Sequence, residues 1–289
     1  MKRLVVTADD FGLAPEVNEA VEEAHRRGLL SAASLMVGAP AAADAIRRAR
    51  RLPNLRVGLH LTLVEGAPVA PATEIPDLVD RAGRLRVDLV VYGAAILLRP
   101  AVRRQVRAEI RAQFDAFRAA GLALDHVDAH RHYHLHPAIF GELLAVGRDF
   151  GMRALRAPVE PLALLNTVEP TRRSLAARVA APWAALTRAR ARAAGLVVAD
   201  GVFGLAWTGA MGEARLAGLI ARLPEGFSEI YLHPATADQF AGSAAGYRHR
   251  DEFAALTSPR CREALERSGA RLGGYADFAD GGRAGGREA

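Results

Sequence analysis

The sequence predicts a single-domain α/β protein whose parallel strands close into a (β/α) barrel. Short β-branched runs alternate with longer helix-like segments along most of the 289 residues, and no linker-like stretch divides them. Polar clusters also recur at the C-terminal ends of the apolar runs, where a TIM-like barrel gathers its functional side chains. An open doubly wound sheet is the alternative architecture.

The series opens with a strand over 4–7. A helix follows from Pro15, a residue suited to a first helical position, with Val17, Ala20, Val21 and Ala24 on one face and Gly28 beyond its end. Residues 34–37 read as the second strand, 41–52 as a helix, Pro53-Asn54 as a turn, and 56–61 as the third strand. After a Pro-rich loop over 66–76, the segment 101–120 spaces Val102, Val106, Ile110, Phe114 and Phe117 at helical intervals. Then come a strand at 126–128, a helix over 137–150, a strand at 154–156, a helical region over 171–194 and a strand at 229–232. The domain is expected to span 1–278, and the Gly- and charge-rich 279–289 to be a disordered tail.

Composition narrows the function. At 51% hydrophobic and 24% charged, the chain can bury a sizeable core. Its single cysteine, Cys261, rules out an internal disulfide and any Cys-rich metal site. The net charge of +6 comes from arginines that mostly alternate with alanine, with only 6% aromatic residues, so no nucleic-acid partner is expected. Met1-Lys2-Arg3 leads within a few residues to Asp9-Asp10, which is not a signal peptide, and the apolar 89–98 is about half the roughly 20 residues of a membrane span. A cytoplasmic protein is expected, with peripheral contact at the inner membrane face left open and a homodimer compatible.

Four clusters carry the chemistry. Thr7-Ala8-Asp9-Asp10-Phe11-Gly12 sets two carboxylates after an apolar run, a pattern that a capped turn would also produce. Gly58-Leu59-His60-Leu61 puts a histidine inside an apolar strand, and Tyr231-Leu232-His233-Pro234 puts another at a strand end. Residues 126–136 hold five of the nine histidines, and those at 130, 132, 134 and 136 have the period-2 spacing of an extended segment that projects them together. Burying imidazoles without partners costs about 1–3 kcal/mol each, so a metal or a polar substrate is the expected partner. One carboxylate and two neutral imidazoles meeting at a point would form a three-ligand site with open positions.

These motifs, in this order and spacing, resemble the YdjC/ChbG-like carbohydrate deacetylases over residues 1–278. The opening Lys-Arg-Leu-Val-Val-Thr-Ala-Asp-Asp-Phe-Gly and the later Ala-Ala-Ser-Leu-Met-Val resemble the branch associated with hopanoid biosynthesis, HpnK. The resemblance implies a distorted TIM-like (β/α) barrel that removes acetyl from an N-acetylated sugar with one divalent ion. Zinc or magnesium comes first, then manganese, cobalt or nickel. Carried over position by position, Asp10, His60 and His130 would hold the metal, Asp9 would be the general base and His233 the general acid. His132, His134 and Arg156 are assigned to the substrate, with orientation of Asp9 as the second role for Arg156. The branch implies an N-acetylglucosaminyl hopanoid lipid as substrate. The alternatives are soluble chitooligosaccharides such as diacetylchitobiose, or metal-dependent hydrolysis of another bond. Arg131 and His136 depart from the sugar-utilising relatives, which often have histidine and an apolar residue there.

Two further stretches fit a lipid-linked substrate. The apolar 89–98 and the segment 171–195, with six arginines, Trp183 and no acidic residue, are candidates for a membrane-facing lip. A buried helix and a solvated arginine-rich helix are the plainer alternatives.

Overall fold

In the computed structural model, which describes residues 1–172 and 174–282, the strand–helix alternation runs the length of the chain. In order the elements are β1 (Lys2–Phe11), α1 (Pro15–Arg27), β2 (Ala32–Leu35), α2 (Ala42–Ala49), β3 (Arg56–Leu61), α3 (Leu89–Leu98) and α4 (Pro100–Ala119). Next are β4 (Leu124–Ala129), a 3-10 segment His130–Leu135, α5 (Pro137–Asp149), α6 (Leu162–Leu165), α7 (Leu175–Ala193), β5 (Gly201–Phe203) and α8 (Glu213–Ala221). The chain finishes with β6 (Gly226–Leu232), α9 (His249–Thr257), α10 (Pro259–Ser268), β7 (Arg271–Leu272) and a 3-10 turn Ala276–Gly282. That last turn runs past residue 278, and most of the expected tail, 283–289, lies outside the described residues.

The sheet order is β4-β3-β2-β1-β6-β5, all parallel, with β7 beside the start of β1. The sheet curls into a distorted (β/α) barrel. Its seam is where a full strand was expected at 154–156: only single bridges, Val127 to Leu155 and Ala154 to Val197, join β4 to the segment leading into β5. Pro158 and Pro161 follow, and neither has the amide needed to extend a ladder.

Alternation along the strands separates two cores. Leu4, Val6 and Ala8 point outward into the large layer beneath the helices, whereas Val5, Ala32, Val202 and Phe227 pack inside the barrel with Tyr275 and Phe278. Above that apolar floor the inward positions become polar: Thr7 and Asp9 on β1, Ser34 on β2, His60 on β3, His126 and Asp128 on β4, and Glu229 on β6 are all buried. Gly58 faces inward too, and a Cβ there would come within 2.5 Å of the His126 ring, so only glycine fits beside that imidazole.

Candidate active site

The first strand solves a geometric problem. In a regular strand Asp9 and Asp10 would point to opposite faces. Asp10 instead has φ 62°, and the β1–β2 register shifts between Ala8 and Phe11. This irregularity brings both carboxylates into one cavity of about 910 Å³, which also takes in His60, His130, His132, Tyr231 and His233. The volume suits a small organic ligand.

Asp10 meets the two histidines assigned to it. Its Oδ1 lies 3.1 Å from His130 Nδ1 and 3.3 Å from His60 Nε2, and the ligand atoms of the three residues fall within 4.8 Å of one another. A carboxylate stands behind each imidazole: Asp128 Oδ1 is 2.9 Å from His60 Nδ1, and Glu65 Oε2 is 3.6 Å from His130 Nε2. Such backing carboxylates orient a metal-binding histidine and raise its basicity. Burial opposes charge here, yet His130 and His60 hold the Asp10 carboxyl well below the ordinary range. The His60 imidazole is raised well above its own despite burial, chiefly by Asp128. The cluster therefore draws positive charge to this point, and an O,N,N donor set fits a divalent cation.

Asp9, His60 and Asp128 form a second cluster of similar reach. It already contains a cation. Arg156, fully buried, donates to Asp9 Oδ2 and Oδ1 at 2.7 and 2.8 Å, lies 2.6 Å from Asp128 Oδ2, and donates to Glu229 at 2.9 and 3.1 Å. Of the two roles considered for Arg156, the contacts are those of a residue that orients Asp9. It does not line the cavity, and a surface position is excluded. Burial raises the Asp9 carboxyl above its ordinary range while Arg156 pulls against it. Asp128 is held far below its ordinary range, burial being outweighed by Arg156 and His60.

The histidine-rich segment differs from its expected form. It is a 3-10 turn, and Arg131 and His132 take left-handed backbone conformations at φ 57° and 51°. Non-glycine residues there store strain, which the surrounding contacts must hold. Here Arg131 makes a two-point contact with Glu65, itself at φ 55°. The histidines consequently scatter. His130 and His132 reach the cavity, the latter 3.0 Å from the Tyr231 hydroxyl through Nε2. His134 does not: it is fully buried, its Nε2 lies 2.9 Å from the Arg156 carbonyl oxygen, and burial pushes its imidazole down to about 4. Its assignment to the substrate is corrected to support of the segment that carries Arg156.

His233 stands on the other side of Asp9. Its Nε2 is 4.0 Å from Asp9 Oδ2 and its Nδ1 is 4.0 Å from Glu252 Oε2. Glu252 also accepts from the backbone amides of His233 and Met211, which fixes the loop after β6. Glu65, Ser34, Glu229 and Glu252 have no place in the sequence reading. Glu229 carried a signal, since it is a charged residue at an alternate position of an apolar strand, as His60 is. Glu65 lies on a loop and Glu252 on a helix, and neither position reveals its target in advance.

The YdjC-like protein family matches residues 3–267, and the chain belongs to it. It is 30% identical to a carbohydrate deacetylase of Geobacillus stearothermophilus over 95% of this chain and 97% of that protein. It is 40% identical to a carbohydrate deacetylase of Brevibacillus brevis, over 58% of this chain and 62% of that one. Among solved structures, a protein of Enterococcus faecalis V583 named for cellobiose-phosphate cleavage superposes with a TM-score of 0.74 at 26% identity, covering 96% of this chain and 98% of the other.

Proposed function

We propose that this chain is a metal-dependent hydrolase that removes the acetyl group from an N-acetylated sugar. The observation that carries the reading is the division of labour between adjacent carboxylates. Arg156 occupies both oxygens of Asp9, and Asp10 is left to share a point with His60 and His130. The three latter residues would hold the divalent ion, which when bound polarises the acetyl oxygen and acidifies water.

An amide is a weak electrophile with a poor leaving group, so the protein must remove a proton from the attacking water and supply one to the departing nitrogen. Asp9 takes the first. Its burial makes it a stronger base than a solvated aspartate, and Arg156 fixes the direction of its lone pairs. His233 delivers the second from Nε2, on the cavity wall beside Asp9, with Glu252 behind the ring to orient it. His132 is held neutral by burial, then by the charge of Arg156, and its buried Nδ1 lacks a hydrogen-bond partner among the described residues, which suits a contact to a substrate oxygen.

The sugar is read as the head of an N-acetylglucosaminyl hopanoid lipid, presented at the inner membrane face; diacetylchitobiose is the soluble alternative. The test is acetate release from both substrates by metal-loaded and chelator-treated protein. Acetate from the lipid alone supports the lipid branch, and acetate from diacetylchitobiose alone replaces it. Absence of acetate from both, with metal bound, refutes the deacetylase reading.

A further inference from the structure

Among the described residues, the large apolar side chains left exposed are not scattered. Apart from Met1 they are Val87, Val90, Val91, Leu97 and Leu98 at α3, and Leu175, Val179, Trp183 and Leu186 on α7. Isolated exposed apolar residues are ordinary, but a set confined to two helices is not. Each helix is apolar on the side that faces water. On α3, Tyr92, Gly93 and Ile96 are buried while Val90 is 82% and Leu98 76% exposed. On α7, Leu175, Val179, Trp183 and Leu186 follow one another at intervals of four, four and three, which is a single stripe.

Both helices begin at the wall of the active-site cavity. Val87, just before α3, lines it, and so does Ala177 in the first turn of α7. Both pack against α5. Neither reaches across a bilayer, since no helix among the described residues is long and apolar enough to do so.

Charge selects the occupant. No acidic residue occurs between Glu169 and Asp200, where the sequence has six arginines, and Asp88 is the lone acid among residues 81–104 against six more. A second copy of the chain docking by this face would set arginine against arginine, whereas an anionic headgroup layer complements it. We propose that α3 and α7 form a bilayer-docking surface, inserting their apolar stripes at the acyl boundary of an anionic membrane and placing the cavity at the headgroups. It rests on the deacetylase reading only for its purpose, so it can be tested without any sugar.

The experiment is co-sedimentation of the full chain with phosphatidylcholine vesicles, with or without about 40% phosphatidylglycerol, together with quenching of Trp183 by lipids brominated on the acyl chain. Trp207, 4% exposed, should be unaffected, and Trp183→Phe should abolish the quenching. The variant Val90→Ser/Leu98→Ser/Val179→Ser/Leu186→Ser alters only side chains that face water, so its melting temperature should match the parent. Its partition into anionic vesicles should fall more than about tenfold. Absence of sedimentation overturns the proposal. So does binding that the serine variant retains and salt alone abolishes, and so does a stable dimer in solution that the serine variant dissociates.

Discussion

Replacing Arg156 with methionine removes the guanidinium that faces Asp9, Asp128 and Glu229, all buried. Five N···O contacts between 2.6 and 3.1 Å disappear. Breaking a buried ion pair from one side costs about 3–5 kcal/mol, because the remaining charge is uncompensated. At about 2 °C per kcal/mol for a chain of this size, the melting temperature should fall by about 6–10 °C at neutral pH. The sign of its pH dependence follows from the shifts. Burial already raises Asp9, and loss of Arg156 raises it further, so the folded variant binds protons more tightly than the unfolded chain and gains relative stability in acid. Asp128 is depressed in the parent, which loses that contribution as pH falls toward about 4 and below. The Asp9 effect shrinks the deficit as pH falls through the raised range of that carboxyl, so the deficit should be larger at pH 8 than at pH 5.5, and the Asp128 effect adds to this only below about pH 4. Arg156→Lys keeps the charge but offers three donors in place of the fork. It should recover part of the stability and little of the activity, since the two-point hold on Asp9 is lost. Thermal unfolding at the two pH values, with acetate release alongside, measures this. A deficit in Arg156→Met that is absent, or that widens in acid, would refute the argument.

Asp9→Asn should keep its metal and lose about 10²–10⁴ in turnover, while Asp10→Asn should lose the metal; metal analysis of the two purified variants decides it, and the opposite pattern reverses their roles. Glu65→Gln removes the carboxylate behind His130 and should weaken metal affinity about 10- to 100-fold in a competition titration, with little change in melting temperature because Glu65 is partly exposed. Gly58→Ala drives a methyl against the His126 ring and should cost about 1–3 kcal/mol in denaturant unfolding, an effect that His126→Ala should largely relieve.

The alternation of strands and helices was legible because hydrophobic periodicity is local. Strand β3 was read at its observed bounds and the apolar stripe of α4 within one residue at each end, whereas the short β5 and the helices α8, α9 and α10 carried no signal strong enough to place them. The histidine run misled for a related reason. Period-2 spacing implies a common direction only if the backbone stays extended, and contacts from Glu65, Tyr231 and the Arg156 carbonyl bend it into a turn.

The sequence by itself determined which residue types were available for the chemistry, paired carboxylates after a strand and histidines at other strand ends, and its resemblance to a known family nominated Asp10, His60 and His130 as one set. Tertiary structure alone decided which partners each carboxylate meets. Asp9 and Asp10 are chemically identical neighbours, and they part only because a left-handed residue turns one toward two imidazoles while a guanidinium from a residue 147 positions away along the chain claims the other. Long-range electrostatics of that kind depend on distance in space, which no local pattern encodes.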